Sequence, residues 1–183
     1  DIRNNRFPYF KRYGIRTNKM TVDTNDKDKR PTVMVSGGFD PVHVGHIRMI
    51  RDAAQYGDVI VVANSDQWLY RKKGFVFMEF DKRSEILSAI KGVIVVDSVD
   101  DTDGTVCEAI RRHKPDFFAN GGDRGKSNTP EQSVCEEMGV ELLWEIGGDY
   151  KADASSNLVE RFRKNTENND VAPQRTKVKH SRR

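Results

Sequence analysis

The chain has 183 residues, of which 36% are hydrophobic and 32% charged, and its formal net charge is +3 at pH 7. This length supports one domain with a hydrophobic core. No apolar run approaches the ~20 residues that span a bilayer, and two cysteines are too few for a disulfide framework. The composition therefore predicts a cytoplasmic protein without a membrane segment.

The charge is unevenly distributed along the chain. Residues 1–31 carry nine Lys and Arg against four Asp and Glu, residues 164–183 carry six against two, and the middle is mildly acidic. The C-terminal segment also holds few apolar residues, which is typical of a solvated tail. We therefore expect a basic N-terminal extension (1–31), a folded domain (32–163) and a basic, flexible C-terminal tail (164–183). Such ends suit an anionic partner.

Strand and helix patterns alternate through residues 32–163. Short apolar runs without polar alternation, as in strands buried on both faces, occur at 32–36, 59–63, 93–96, 116–119 and 140–144. Helical patterns occur between or after them, at 44–56, 81–91, 105–113, 129–138 and from about 155. This alternation predicts a doubly wound α/β domain, Rossmann-like, with a five-stranded parallel sheet covered by helices on both faces.

Two local signals predict backbone geometry within this domain. Gly37 and Gly38 follow the first strand and should turn the backbone there. Further along, Thr129 precedes Pro130 and stands three residues before Gln132, a pattern that predicts a helix capped by the Thr129 side chain.

The densest group of chemically useful residues is the run GGFDPVHVGH at residues 37–46. It lies where the first strand ends and the first helix begins, and ligands of open α/β sheets bind beyond the carboxyl ends of strands. Glycines let the backbone approach a phosphate, and a helix N-terminus offers free N–H groups. His43 and His46 add donors at the same place, and Gly45 leaves room for a base or ribose. The run predicts a nucleotide site.

This run resembles the HxGH motif of the cytidylyltransferase-like nucleotidyltransferase superfamily. Further segments follow in the matching order: Asn64-Ser65-Asp66, Arg71-Lys72-Lys73-Gly74, Arg83, Gly121-Gly122-Asp123 and Ser155-Ser156. Within the superfamily, the chain is most similar to heptose-phosphate adenylyltransferases and next to glycerol-3-phosphate cytidylyltransferases. It departs from their pattern at Asn157, where the family usually has Thr, and along 151–154, so the choice of base and acceptor stays open.

The resemblance implies an enzyme that transfers a nucleoside monophosphate from a nucleoside triphosphate to a small phosphorylated acceptor, such as a sugar phosphate or glycerol phosphate, and releases pyrophosphate. ATP is the favoured donor and CTP the alternative. Mg²⁺ would arrive with the nucleotide, without a metal site in the protein, and a homo-oligomer is expected.

The same resemblance assigns roles to individual residues. Those implied in catalysis are His43, His46 and Lys73. Those implied in nucleotide binding are Gly38, Phe39, Asp40, Gly45, Gly121, Gly122, Asp123, Ser155 and Ser156. The implied acceptor or phosphate contacts are Arg83 and Lys151. Asp40 is the only acidic residue inside the motif, and a structural role in an Asp-Pro turn is a stronger interpretation for it than a metal ligand.

A second class of function remains open from the residues alone. A nucleotidyltransferase domain that has lost catalysis could bind nucleic acid or protein through its basic ends, and the run KVKHSRR at 177–183 favours this hypothesis. Against it stand the two intact histidines. Attack of a phosphate oxygen on the α-phosphorus needs positioning and positive charge rather than a covalent nucleophile, and the motif supplies both.

Overall fold

The computed structural model describes residues 29–121, 129–148 and 155–167. Within these ranges five strands form one all-parallel sheet in the order β3-β2-β1-β4-β5. The strands are β1 (Thr32–Gly37), β2 (Asp58–Ala63), β3 (Val93–Asp97), β4 (Phe117–Gly121) and β5 (Glu141–Ile146). The predicted five-stranded parallel α/β fold is confirmed. Most of the predicted N-terminal extension and nearly all of the C-terminal tail lie outside the described residues.

Helices cover both faces of this sheet. Those in the described ranges are α1 (Val44–Ala53), α2 (Asp66–Lys73), α3 (Phe80–Ser88), α4 (Cys107–His113), α5 (Gln132–Met138) and α6 (Ser155–Glu167). One core cluster includes Ile50 of α1 and Leu87 of α3. The other includes Ile110 of α4 and Cys135 of α5. The two clusters lie on opposite faces because side chains alternate along each strand, so the sheet is doubly wound.

The strand order places a crevice beside the histidine motif. From β1 the chain winds outward through β2 and β3, then crosses back to β4 on the other side of β1. The carboxyl ends of β1 and β4 therefore flank the point at which the winding direction reverses, and ligands of open α/β sheets bind at such points. Gly37 ends one of these strands and Gly121 ends the other.

Some local expectations were wrong. Helix α2 was not predicted, because its only apolar residues among charged neighbours are Trp68, Leu69 and Tyr70. The turn after β1 is made by Phe39, whose φ is +50°, whereas Gly37 and Gly38 have no left-handed φ. The N-cap residue of α5 is Glu131 rather than Thr129: the Thr129 backbone carbonyl accepts from the Gln132 N–H, and the helix begins at Gln132.

Strand β5 carries one extra residue near its end. Ala119 pairs with Leu143, yet Gly121 pairs with Ile146, so β5 uses three residues where β4 uses two. Glu145 occupies the left-handed region with φ +60°, as a β-bulge permits. The bulge turns Ile146 into the α1 core cluster, and the next residue, Gly147, lies directly against Met49 of α1.

Candidate nucleotide-binding site

The first turn of α1 is closed by its two histidines. His43 is the N-cap residue, and its Nδ1 accepts from the Gly45 N–H at 3.1 Å. His46 returns the contact, since its Nδ1 accepts from the His43 N–H at 3.3 Å. This is a capping box in which two imidazoles take the places usually held by Ser or Thr and Glu. No Asp or Glu lies in the first turn, so the positive end of the helix dipole is uncompensated there.

These contacts fix the protonation of both rings. A backbone N–H can only donate, so each Nδ1 is the unprotonated nitrogen and the neutral ring carries its proton on Nε2. The pKa of His46 is lowered to about 3, first by burial and then by the neighbouring His43. The two rings stack at 3.8 Å between centroids with an interplanar angle of 20°. At neutral pH, His46 is therefore an uncharged Nε2–H donor with a fixed ring orientation.

The residues before the histidines pack under them. Phe39 is buried, and its ring meets the His46 ring edge-on at 4.8 Å. Gly38 is pressed against α2, because a Cβ built there would lie 3.0 Å from Cδ2 of Leu69. Apolar contacts thus hold the backbone between β1 and α1 in place. They preorganise the turn that is expected to bind phosphates.

Asp40 is a structural carboxylate. Its side chain is buried, and its two oxygens accept from the N–H groups of Phe77 and Met78 at 2.9 and 2.5 Å. The Lys73 ammonium lies 2.6 Å from the carboxylate and 2.7 Å from the Asp40 carbonyl oxygen. Protein donors thus occupy both oxygens of the Asp40 side chain, and the predicted contact of Asp40 with the nucleotide stays a prediction. Lys73, with a quarter of its side chain exposed, is nonetheless brought to the motif.

Arg83 also makes its contacts within the protein. Its guanidinium is fully buried and donates to the carbonyl oxygens of Gly38, Asn64 and Met78 at 2.7 to 2.9 Å. It also pairs with Asp66 at 2.6 Å. This burial favours a structural role, in which Arg83 fastens the segments that follow β1 and β2 to one another, and the expected contact with acceptor or phosphate stays a prediction.

Sequence reasoning missed a third buried charge, Asp101. Its carboxylate accepts from the Asn64 side chain and from the N–H and hydroxyl of Ser65, at 2.7 to 3.1 Å. Ser65 in turn caps α2 by accepting from the Trp68 N–H. The available signal was positional, because Asp101 follows β3 as Asn64 follows β2, at the same edge of the sheet.

Comparison with known proteins identifies the family. The sequence profile described as cytidylyltransferase-like matches residues 34–180, most of the chain. The chain belongs to the cytidylyltransferase-like family. The resemblance inferred from the motifs is confirmed, and the nucleotidyltransferase fold with it.

Individual relatives of this cytidylyltransferase-like chain share about a quarter to a third of its residues in the aligned regions. It is 36% identical over 121 residues to the FAD synthase of Thermococcus kodakarensis, covering 64% of this chain and 74% of the relative. It is 27% identical over 161 residues to the bifunctional protein HldE of Pseudomonas putida, covering 83% of this chain but 32% of HldE. The chain thus spans about a third of HldE. Among solved structures, a lipopolysaccharide core biosynthesis protein from Thermoplasma volcanium matches with TM-score 0.52 and 25% identity, over 62% of this chain and 93% of that one.

The remaining predicted site residues of this family member are only partly described. Gly121 ends β4 beside the crevice, and Ser155 and Ser156 begin the backbone of α6. The other three, Gly122, Asp123 and Lys151, lie outside the described residues. Among the described side chains, no group of three His, Cys, Asp or Glu could hold a metal ion, and no helix is long and apolar enough to cross a membrane.

Proposed function

We propose that this chain transfers a nucleoside monophosphate from a Mg²⁺-bound nucleoside triphosphate to a small phosphorylated acceptor. The observation that carries the proposal is the pair of imidazoles whose Nδ1 atoms are occupied by backbone N–H groups at the start of α1. In the neutral rings the Nε2 atoms carry the protons, and we propose that these N–H groups donate to the bound nucleotide. They stand at a helix N-terminus, beside the reversal point of a parallel sheet, where a triphosphate fits by charge and geometry.

The chemistry asked of these residues is electrostatic. An oxygen of the acceptor phosphate attacks the α-phosphorus, the bond from that phosphorus to the bridging oxygen breaks, and pyrophosphate leaves with the electron pair. Negative charge grows on the oxygens around the α-phosphorus. Neutral Nε2–H groups of fixed orientation would stabilise that charge without reorganising. Mg²⁺ enters as part of the nucleotide substrate and neutralises its phosphates. Lys73 would add positive charge at the entrance.

ATP is the donor that we favour. The motif order is most similar to heptose-phosphate adenylyltransferases, which supports adenylyl transfer. CTP with glycerol phosphate remains the alternative, because the segment before Asn157 departs from both patterns.

Pyrophosphate release tests the proposal. The purified chain is incubated with Mg²⁺ and each of ATP, CTP, GTP and UTP, alone and with a hexose 1-phosphate or glycerol 3-phosphate, and pyrophosphate is measured. We expect release that requires both substrates and is fastest with ATP. Pyrophosphate release with CTP and an acceptor, but not with ATP and an acceptor, would overturn the preference for ATP as donor. If no pair yields pyrophosphate and no nucleotide raises the melting temperature, the transferase proposal is wrong.

A further inference from the structure

Exposed aromatic side chains are concentrated on one short stretch of the chain. Tyr70 is 64% exposed, Phe75 39% and Phe77 56%. We call these three residues the aromatic strip. Tyr70 lies in the last turn of α2, and the two phenylalanines lie in the segment that follows this helix. Exposed apolar side chains that are grouped in this way mark interaction sites, whereas single ones are ordinary.

Hydrogen bonds fix the backbone that carries the strip. The Gly74 N–H donates to the Tyr70 carbonyl oxygen at 2.8 Å, where α2 ends. The Phe77 N–H donates to the buried carboxylate of Asp40 at 2.9 Å. The rings are therefore exposed on an ordered backbone, so that binding a flat ligand costs little conformational entropy.

Cations are interleaved with these rings, because three Lys or Arg residues separate the first ring from the other two. The Lys73 ammonium lies 4.8 Å from the centroid of the Phe75 ring, a cation–π contact. Half of the Arg71 side chain is exposed, although its guanidinium lies 3.7 Å from the buried carboxylate of Asp101. Lys72 is exposed as well. A ligand that lies across the strip thus meets both flat apolar faces and positive charge.

Acidic groups near the strip are paired with other cations of the protein. The carboxylate of Asp66 lies 2.6 Å from the Arg83 guanidinium, and Glu79 pairs with Lys82. Residues 66–83 carry five Lys and Arg against three Asp and Glu, whereas the middle of the chain as a whole is mildly acidic. The charge of this stretch therefore favours an anionic ligand.

A single strand of nucleic acid matches this alternation of rings and cations. Its bases stack on aromatic side chains, and the phosphates between them attract cations. In a duplex the bases are enclosed in the stack, so a duplex would meet only the cations. An apolar face that enters a membrane keeps its cations on the opposite, polar face, whereas here cations stand between the rings.

We propose that the aromatic strip, together with Arg71 and Lys72, binds single-stranded nucleic acid. The bases stack on the three exposed rings, and the two cations contact phosphates. This binding does not depend on the transferase activity, because it needs neither the histidines nor a nucleoside triphosphate. The pyrophosphate assay and the binding assay described next can therefore fail separately.

The test compares two exposed tyrosines in the full chain. Fluorescence anisotropy measures the Kd for a labelled oligothymidylate of about 16 nucleotides, the upper end of the site sizes of single-strand binding folds. We expect Tyr70→Ala, and separately Phe77→Ala, to raise this Kd about fivefold or more, as the loss of one stacked base does. Tyr56→Ala should leave it unchanged, since Tyr56 is 45% exposed but lies before the amino end of β2, at the opposite end of the sheet.

A second pair of variants tests the cations. Arg71→Gln and Lys72→Gln should each lower the slope of log Kd against log salt concentration by about 0.7, the value of one phosphate contact in a single strand. Unchanged slopes in both variants would remove the cations from the proposed surface and contradict the proposal.

Other results would also overturn the inference. The C-terminal segment 164–183 is basic but contains no aromatic residue, so binding through it depends on charge alone. If strand and duplex bind equally, and Tyr70→Ala and Phe77→Ala both leave the Kd unchanged, the strand lies on that segment or elsewhere. If these two variants instead weaken binding to phosphatidylserine vesicles, or reduce the assembly size in light scattering, without changing the Kd, the strip is a membrane or self-association surface. No binding of the oligonucleotide by the wild type at low salt refutes the proposal directly.

Discussion

His43 has two roles that a suitable substitution separates. Its Nδ1 caps α1, and its Nε2–H is a proposed donor to the nucleotide. His43→Ala removes both, so we expect a loss of about 1 kcal/mol of stability together with a 10²- to 10³-fold loss of turnover. His43→Asn keeps a side-chain acceptor for the cap and should lose turnover alone. Urea unfolding and steady-state kinetics measure the two effects, and near-normal turnover in the Asn variant would contradict the catalytic role.

The lowered pKa of His46 makes a prediction about acid. The folded chain holds this ring neutral down to about pH 3, whereas the unfolded chain takes up a proton near the ordinary pKa of 6.5. The unfolded state thus binds more protons between these values, and stability falls as the pH drops through that window. At pH values above this window the His46 ring is neutral in both states, so it does not change the stability.

A matched variant isolates the contribution of His46. His46→Gln keeps a residue type that serves the same capping position but cannot titrate. Urea midpoints at pH 7 and pH 5 should fall further apart in the wild type than in His46→Gln. Equal losses in the two proteins would show that His46 is not the titrating group.

The segments that follow β1 and β2, together with residues 74–79, depend on Arg83 and Asp40. Arg83→Met leaves the carboxylate of Asp66 and three backbone carbonyls without their donor, and we expect a loss of about 3 kcal/mol. Lys82→Met, at the exposed neighbouring position, should stay within about 0.5 kcal/mol of the wild type. An unchanged urea midpoint for Arg83→Met, with only the acceptor KM raised, would restore Arg83 as a substrate contact.

The sequence predicted the strands better than it predicted helix α2 and the contacts of Arg83. Buried parallel strands are continuous apolar runs, and such runs marked all five strands to within two residues at each end. Helix α2 has too few apolar residues to show a period. The burial of Arg83 depends on carbonyls 45 and 19 residues away, and no local pattern encodes such a contact. The histidine motif was found because its residues are contiguous in the sequence, whereas the hydrogen bond between Asn64 and Asp101 joins residues 37 positions apart.

For the whole molecule, we expect the residues that bind polyanions and the residues that bind the nucleotide to lie in separate parts of the chain. The strands and helices that the structure describes lie within residues 32–167, while the C-terminal segment carries Lys177, Lys179, Arg182 and Arg183. Replacing these four by Gln should weaken heparin binding and reduce its salt dependence. The stabilisation by ATP, about 2.7 kcal/mol at 100 times its dissociation constant, should not change. Loss of the ATP-induced thermal shift in this variant would show that the tail contributes to nucleotide binding.

The bulge in β5 has a consequence for mutational tolerance. It brings Gly147 against Met49, one turn after His46, and a Cβ at that glycine would lie 3.1 Å from the Met49 Cα. Its φ of +94° also disfavours every other residue type. Any side chain there must displace the helix that aims both imidazoles. In a random-mutagenesis screen for lost turnover, position 147 should therefore yield inactive clones as often as the histidines do, although no atom of that residue need touch a substrate.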